Sequence, residues 1–194
     1  MHRTAQYMPM HKTKHALEAG LIILFAAVLY WLGFELQNWL FKFTEVIPGV
    51  NWFYLPGGLR VVLVWVGGIY GATGIFVATM LIDVLHMQDI QGLMFLGTGL
   101  VSGFGPLLAL HLVWPRHSWQ QQSRLTSTRL LTFAGTYALL NALLHQAVWW
   151  YFQREGSVAT VDFWPMFIGD LTGSVTLLYL WKFALTVRNR ALAH

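Results

Sequence analysis

The chain reads as long apolar runs divided by short polar loops. The first run, Ala16–Phe41 (ALEAGLIILFAAVLYWLGFELQNWLF), suits one tilted membrane span, which takes about 20 residues. Trp31, Trp39 and Phe41 crowd its second half, as aromatics that seek the membrane interface do. A loop over 42–57 follows, with Pro48 and Pro56 as breakers. The stretch that organises the rest is Asn51–Leu85 (NWFYLPGGLRVVLVWVGGIYGATGIFVATMLIDVL), interrupted midway by Gly67, Gly68, Gly71 and Gly74. Three more apolar runs cover Gly92–Trp114, Leu130–Phe152 and Phe163–Val187, joined by PRHSWQQQSRLTSTR and QREGSVATVD.

Residues 59–85 read either as one long helix or as two short ones bent at the glycines, and charge decides between them. With a cytoplasmic N-terminus and two passes here, nine Lys/Arg fall on the cytoplasmic side against three outside, namely Lys42, Arg60 and Arg154. A single pass inverts the C-terminal half and leaves four inside against eight. The positive-inside bias selects the first arrangement. The expected fold is therefore an all-α polytopic membrane protein of six transmembrane segments, with both termini cytoplasmic. It divides into a tail over 1–15, one helical domain over 16–187 and a tail over 188–194. The second and third segments are short, since about 13 residues make roughly 20 Å of helix, less than a hydrocarbon core of about 30 Å. Two full crossings and a re-entrant hairpin are both compatible with that length. Gly67 and Gly71, Gly99 and Gly103, and Gly169 and Gly173 lie four apart, a spacing that lets helix backbones approach.

Composition supports the membrane assignment. The chain is 56% hydrophobic and 10% charged, where a soluble domain carries about a quarter charged residues. There is no cysteine, so disulfides, thiolate metal sites and a cysteine nucleophile are excluded. The net charge of +4 reflects basic residues beside the spans, read as topology signals rather than as an anion-binding face. The tail MHRTAQYMPMHKTKHALEAG lacks the small-residue cleavage site of a secretory signal and is expected to stay attached on the cytoplasmic side. The membrane is expected to be the bacterial inner membrane.

Charged residues at membrane depth cost at least ~2.5–3.5 kcal/mol each, so they mark function by default. On this topology Glu35, Arg60, Asp83, His86, Asn141, His145 and Asp170 all fall in the outer half, and Asp170 is the deepest acid. They imply a polar cavity open toward the periplasm. Asp170 would be its floor, with Arg60, Asp83, Asn141, His145 and Glu35 around it and Trp52, Tyr54, Trp149, Trp150 and Trp164 as a rim. The competing reading is structural: Arg60 neutralises Glu35, Asp83 or Asp170 while the others touch headgroups and water. Asp83, His86 and His145 are acceptable metal ligands, but no His-x3-His or Glu-x-x-His pair supports a metal or haem site. The tail residues His2, Met8, Met10, His11 and His15 suit at most weak soft-metal binding. No nucleophile–base constellation, phosphate loop or nucleic-acid module is present. The chain is therefore read as a non-enzyme without a cofactor, acting through a small ligand, a membrane partner or a second copy.

Two stretches carry a resemblance. WFYLPGGLR with the glycine-rich turn, and FWPMFIGDLTGSVTLLYL after it, resemble the membrane-associated sensor domains that precede bacterial histidine kinases and diguanylate cyclases. The matching positions are Trp52, Pro56 and Gly58 in the first stretch, and Trp164, Gly169, Asp170 and Gly173 in the second. The resemblance covers about Asn51–Leu180 and implies a stand-alone sensor or accessory subunit, because no output domain follows. A second similarity is to the substrate-binding subunits of energy-coupling-factor vitamin transporters, which are also small and six-spanned, with an outward-facing pocket. Ala16 and Gly20 would then form the small-xxx-small contact for the transmembrane partner. A structural subunit of a larger membrane complex is the third reading.

Overall fold

A computed structural model of the chain describes residues 10–86, 92–114 and 126–191. Five helices account for most of it: α1 (Met10–Phe41), α2 (Leu55–His86), α3 (Met94–Val113), α4 (Ser127–Phe152) and α5 (Ala159–Ala191). This corrects the expected six segments, because the second and third are joined in one helical stretch, α2. Three helical stretches are long and apolar enough to cross a membrane, His15–Thr44, Leu55–His86 and Met94–Val113. In α4 and α5 the apolar pattern is diluted by Asn141, His145 and Gln146, and by Asp162, Asp170 and Lys182. Two boundaries also move outward, with α1 starting at Met10 and α5 running on to Ala191. Between α1 and α2 the chain forms a small antiparallel hairpin that an all-helical reading does not contain. Its strands are β1 (Glu45–Ile47) and β2 (Val50–Asn51), with Glu45 opposite Asn51 and Ile47 opposite Val50. Arg3, Asp89, Arg116 and Arg124, and the tail residues His2 and Met8, lie outside the described residues.

The helix α2 folds back on itself. Gly68 sits at φ 54°, ψ −130°, a region open in practice only to glycine. A Cβ placed on Gly71 would strike the carbonyl oxygen of Leu63. In a straight helix those positions would be about 12 Å apart, so the limbs on either side of Gly68 run antiparallel and touch. The first limb descends along α1: Leu59 meets Gly33, and a Cβ placed on Gly67 would stand 3.3 Å from Ile22 Cγ2. The second limb climbs back until His86 reaches Phe34, ring centroids 5.5 Å apart. The glycines thus set a reversal, as the sequence implied.

Small residues decide how closely the helices approach. Gly173 abuts the carbonyl of Tyr54, Gly169 that of Asn51, and Gly58 that of Gly173; a side chain at any of them would collide with backbone. Gly103 abuts Ala72 and Gly99 abuts Phe76 and Met80 across the α2–α3 seam. All three glycine pairs expected from spacing are close contacts. In consequence α2 lies at the centre, against α1, α3 and α5, and α4 closes the bundle between α3 and α5.

The two ends of the bundle differ. At one end the turn of α2 meets an aromatic knot, with Trp65 4.8 Å from Trp114 and Trp114 5.5 Å from Phe133 between ring centroids. Lys182 Nζ donates to Ser127 Oγ there at 3.0 Å. At the other end Gln37, fully buried, bridges the hairpin to α2: its Nε2 donates to the Phe53 carbonyl at 2.8 Å and its Oε1 accepts from Leu55 N at 3.0 Å. Arg154, in the loop after α4, donates to the Pro48 carbonyl at 2.8 Å and pins the hairpin over the bundle.

Candidate functional site

Pro56, Gly57 and Gly58 open α2 beside Asp170 of α5. Proline is tolerated in a first helical turn, where the lost N–H has no partner to lose. Gly57 packs so near the Asp170 carboxylate that a Cβ would overlap it. The two stretches singled out from the sequence therefore meet, and one turn later Arg60 enters the same buried region.

Arg60 and Asp170 are linked through two shared neighbours. Arg60 Nε donates to Tyr30 Oη at 2.8 Å, and Nη1 donates to Tyr137 Oη at 3.3 Å and Asn141 Oδ1 at 3.4 Å. Tyr137 Oη donates in turn to Asp170 Oδ1 at 3.4 Å, and Asn141 Nδ2 to Asp170 Oδ2 at 2.5 Å. The guanidinium also lies 5.3 Å and 5.5 Å from the ring centroids of Tyr30 and Tyr54, within cation–π range. Buried charges persist only when paired and hydrogen-bonded, and here each ion is satisfied by groups that also satisfy the other.

Tyr137, Asn141, His145 and Trp149 recur every four residues, so they form one stripe along α4. His145 Nδ1 faces the Asn141 carbonyl at 2.9 Å, which makes it the donor nitrogen and leaves Nε2 to accept from Ser102 Oγ at 3.4 Å. On the facing wall Thr98 of α3 donates its hydroxyl to Asp83 Oδ2. Above them the Arg154 guanidinium stacks 4.0 Å from the Trp149 ring centroid.

These side chains enclose a cavity of about 50 Å³ beneath Pro48 and Gly49 of the hairpin. That is room for a few water molecules or a very small solute. Arg60, Asp83 and Arg154 are each 5% exposed and Asp170 1%, and all four line it, with His145, Asn141, Trp149 and Thr79. The wall thus offers two positive and two negative groups, with neutral donors and acceptors between them.

Of the residues expected at the site, Asp170, Arg60, Asp83, His145, Asn141 and Trp149 converge. Glu35 does not: it lies on the outside of α1, accepts from Trp31 Nε1 at 3.0 Å and pairs with His86 Nε2 at 3.3 Å. Trp52 and Trp164 are 48% and 56% exposed and are not cavity walls, so the aromatic rim reduces to Trp149 and Tyr54. The metal alternative loses its geometry, since His86 is turned toward Glu35 while His145 faces Ser102. No group of three His, Cys, Asp or Glu side chains able to hold a metal occurs among the described residues. Sequence reasoning missed Tyr30, Thr98, Ser102 and the inward turn of Arg154. Only Tyr137 left a signal, four residues before Asn141.

Comparisons of the chain with protein-family models, curated proteins and solved structures each give no match.

Proposed function

We propose that this chain is a membrane-embedded binding module that takes a small polar ligand into the cavity between α2, α3, α4 and α5, and acts through a partner rather than by catalysis. The observation that carries this reading is the cavity wall itself, with four charged side chains at or below 5% exposure around about 50 Å³. A purely structural ion pair needs one of each sign; Asp83 and Arg154 add a second set around the same cavity. The contact between the two sensor-like stretches, at Gly57–Asp170 and Gly58–Gly173, supports a sensory or accessory role in a bacterial inner membrane. The reversal of α2 at Gly68 would return the chain to the side it entered from, placing the hairpin and cavity on the periplasmic side.

The test is thermal stability of the full chain in nanodiscs against single probes: acetate, phosphate, guanidinium and glycine. At least one should raise the melting temperature of the parent protein and fail to do so in Asp83→Asn or Arg154→Gln. A uniform absence of shifts would overturn the reading. Orientation is checked separately on this cysteine-free background. A cysteine at Glu155 should react with an impermeant maleimide from outside, and one at Ser127 should not.

The transport reading has one observation in its favour. Ala16 and Gly20 are exposed on α1, and nothing lies within 4 Å of where a Gly20 Cβ would stand. A neighbouring helix of a coupling subunit would fit there. Loss of partner co-purification in Gly20→Leu would favour it.

A further inference from the structure

A second cavity, of about 370 Å³, lies at the hairpin end of α4. Gln146, Trp149, Trp150 and Gln153 fall at i, i+3, i+4 and i+7, one face of the helix, and Arg154 and Ser157 complete the wall. Gln146 is only 8% exposed, yet neither Oε1 nor Nε2 has a hydrogen-bond partner among the described residues. Trp149 is 4% exposed and its indole N–H is also unpartnered. A buried polar atom without a partner costs more than a made hydrogen bond returns. Three such atoms beside one cavity point to a ligand, one that offers acceptors to two donors and a donor to one acceptor.

The electrostatics narrow the class. Arg154, stacked on Trp149, lines the same cavity and brings a guanidinium to its wall. The nearby carboxylate of Asp162 is turned onto Ser157 Oγ at 2.8 Å and Val158 N at 2.7 Å. Glu155 is solvent-exposed and not a wall. Trp150 and Tyr151, 79% and 73% exposed, flank the opening as aromatics do at headgroup depth.

We propose that this cavity holds a phosphodiester headgroup whose terminal group carries a hydrogen-bond donor. The phosphate oxygens accept from Gln146 Nε2 and Trp149 Nε1 beside Arg154, and a headgroup hydroxyl or ammonium donates to Gln146 Oε1. The source is either a bilayer phospholipid or a free glycerophosphodiester. Trp149 and Arg154 also line the central cavity, so the two sites share a wall, and Gln146, which lines only this one, tells them apart.

Native mass spectrometry of the full chain in detergent tests it, with dihexanoyl phosphatidylglycerol, phosphatidylethanolamine and phosphatidylcholine as probes. Choline has no N–H or O–H, so the first two should bind at least fivefold tighter than the third. Gln146→Leu should abolish that preference and Trp149→Phe should weaken all three lipids. If Gln146→Leu fails to fold, Gln146→Met keeps the side-chain length without the amide. Glycerophosphoglycerol displacing the lipids would support the same chemistry with a soluble source; displacement by whole lipids alone would support the bilayer. Equal binding of phosphatidylcholine, or a preference that survives loss of the Gln146 amide, would overturn the proposal.

Discussion

Replacing Asp170 by leucine should destabilise the protein strongly, and replacing Arg60 by methionine as well should add less to the loss than the Arg60 change costs alone. Each single change leaves one buried charge behind, a situation that costs about 3–5 kcal/mol. Independent sites would then add to about 6–10 kcal/mol in the double variant. The structure argues for less. One side-chain amide separates the charges, with Arg60 Nη1 3.4 Å from Asn141 Oδ1 and Asn141 Nδ2 2.5 Å from Asp170 Oδ2. Charges roughly 6–8 Å apart at an effective dielectric near 20 attract by about 2–3 kcal/mol. The double variant should therefore fall short of the additive sum by that amount, because the attraction is lost only once. Steric trapping in bicelles measures all four stabilities without denaturing the bilayer. Additivity within about 0.5 kcal/mol would show that Arg60 and Asp170 do not share a network, and the description of the site would be wrong.

Three further outcomes follow from particular contacts. Gly173→Ala drives a methyl into the Tyr54 carbonyl and should cost about 1–3 kcal/mol by overpacking, whereas Gly20→Ala meets nothing and should be neutral or stabilising by up to about 1 kcal/mol; steric trapping of both variants separates the two sites. Gly68→Ala places a side chain at φ 54°, ψ −130° and should cost about 1–3 kcal/mol, read as a lower melting temperature. Thr98→Val removes the hydroxyl from buried Asp83 and should cost about 1–3 kcal/mol by leaving that acceptor underserved; a melting curve unchanged from the parent would show the contact to be dispensable.

The sequence made the bundle legible wherever the physics was local or periodic. Apolar runs located the helices, charge parity required the chain to return within 59–85, and the fold-back at Gly68 is that return. The count of six failed because the reversal needs only one residue outside helical geometry, too little to separate two elements. Four-residue spacing found the glycine contacts and most of the α4 stripe. The misses have a common cause: direction around a helix cannot be read from depth along it. Glu35 and Tyr30 lie on the same helix at similar depth, but Tyr30 points to Arg60 and Glu35 to the outside. The exposed tryptophans failed similarly, since an aromatic at an interface turns toward lipid as readily as toward a cavity. Arg154 sits in a polar loop, and only the fold shows that it turns inward over Trp149.

The site separates into two parts that answer to different pressures. Arg60, Tyr30, Tyr137, Asn141 and Asp170 satisfy one another, and that half alone would serve to lock α1, α2, α4 and α5 in register. An apolar core of the same shape would be about as stable as a buried ion pair, or more so, so stability does not by itself account for even this half. Asp83, Arg154, Thr79 and Trp149 make up the other half of the wall. They line the same cavity from α2, α4 and the following loop, and the Thr79 hydroxyl reaches no partner among the described residues. Structural polar networks in a protein interior close on themselves. One that leaves a hydroxyl unmatched beside a cavity under a hairpin, with that hairpin fastened by an arginine from the same wall, supports the proposed ligand site. The locked half would hold the geometry, and the half beneath Pro48 and Gly49 would recognise the ligand.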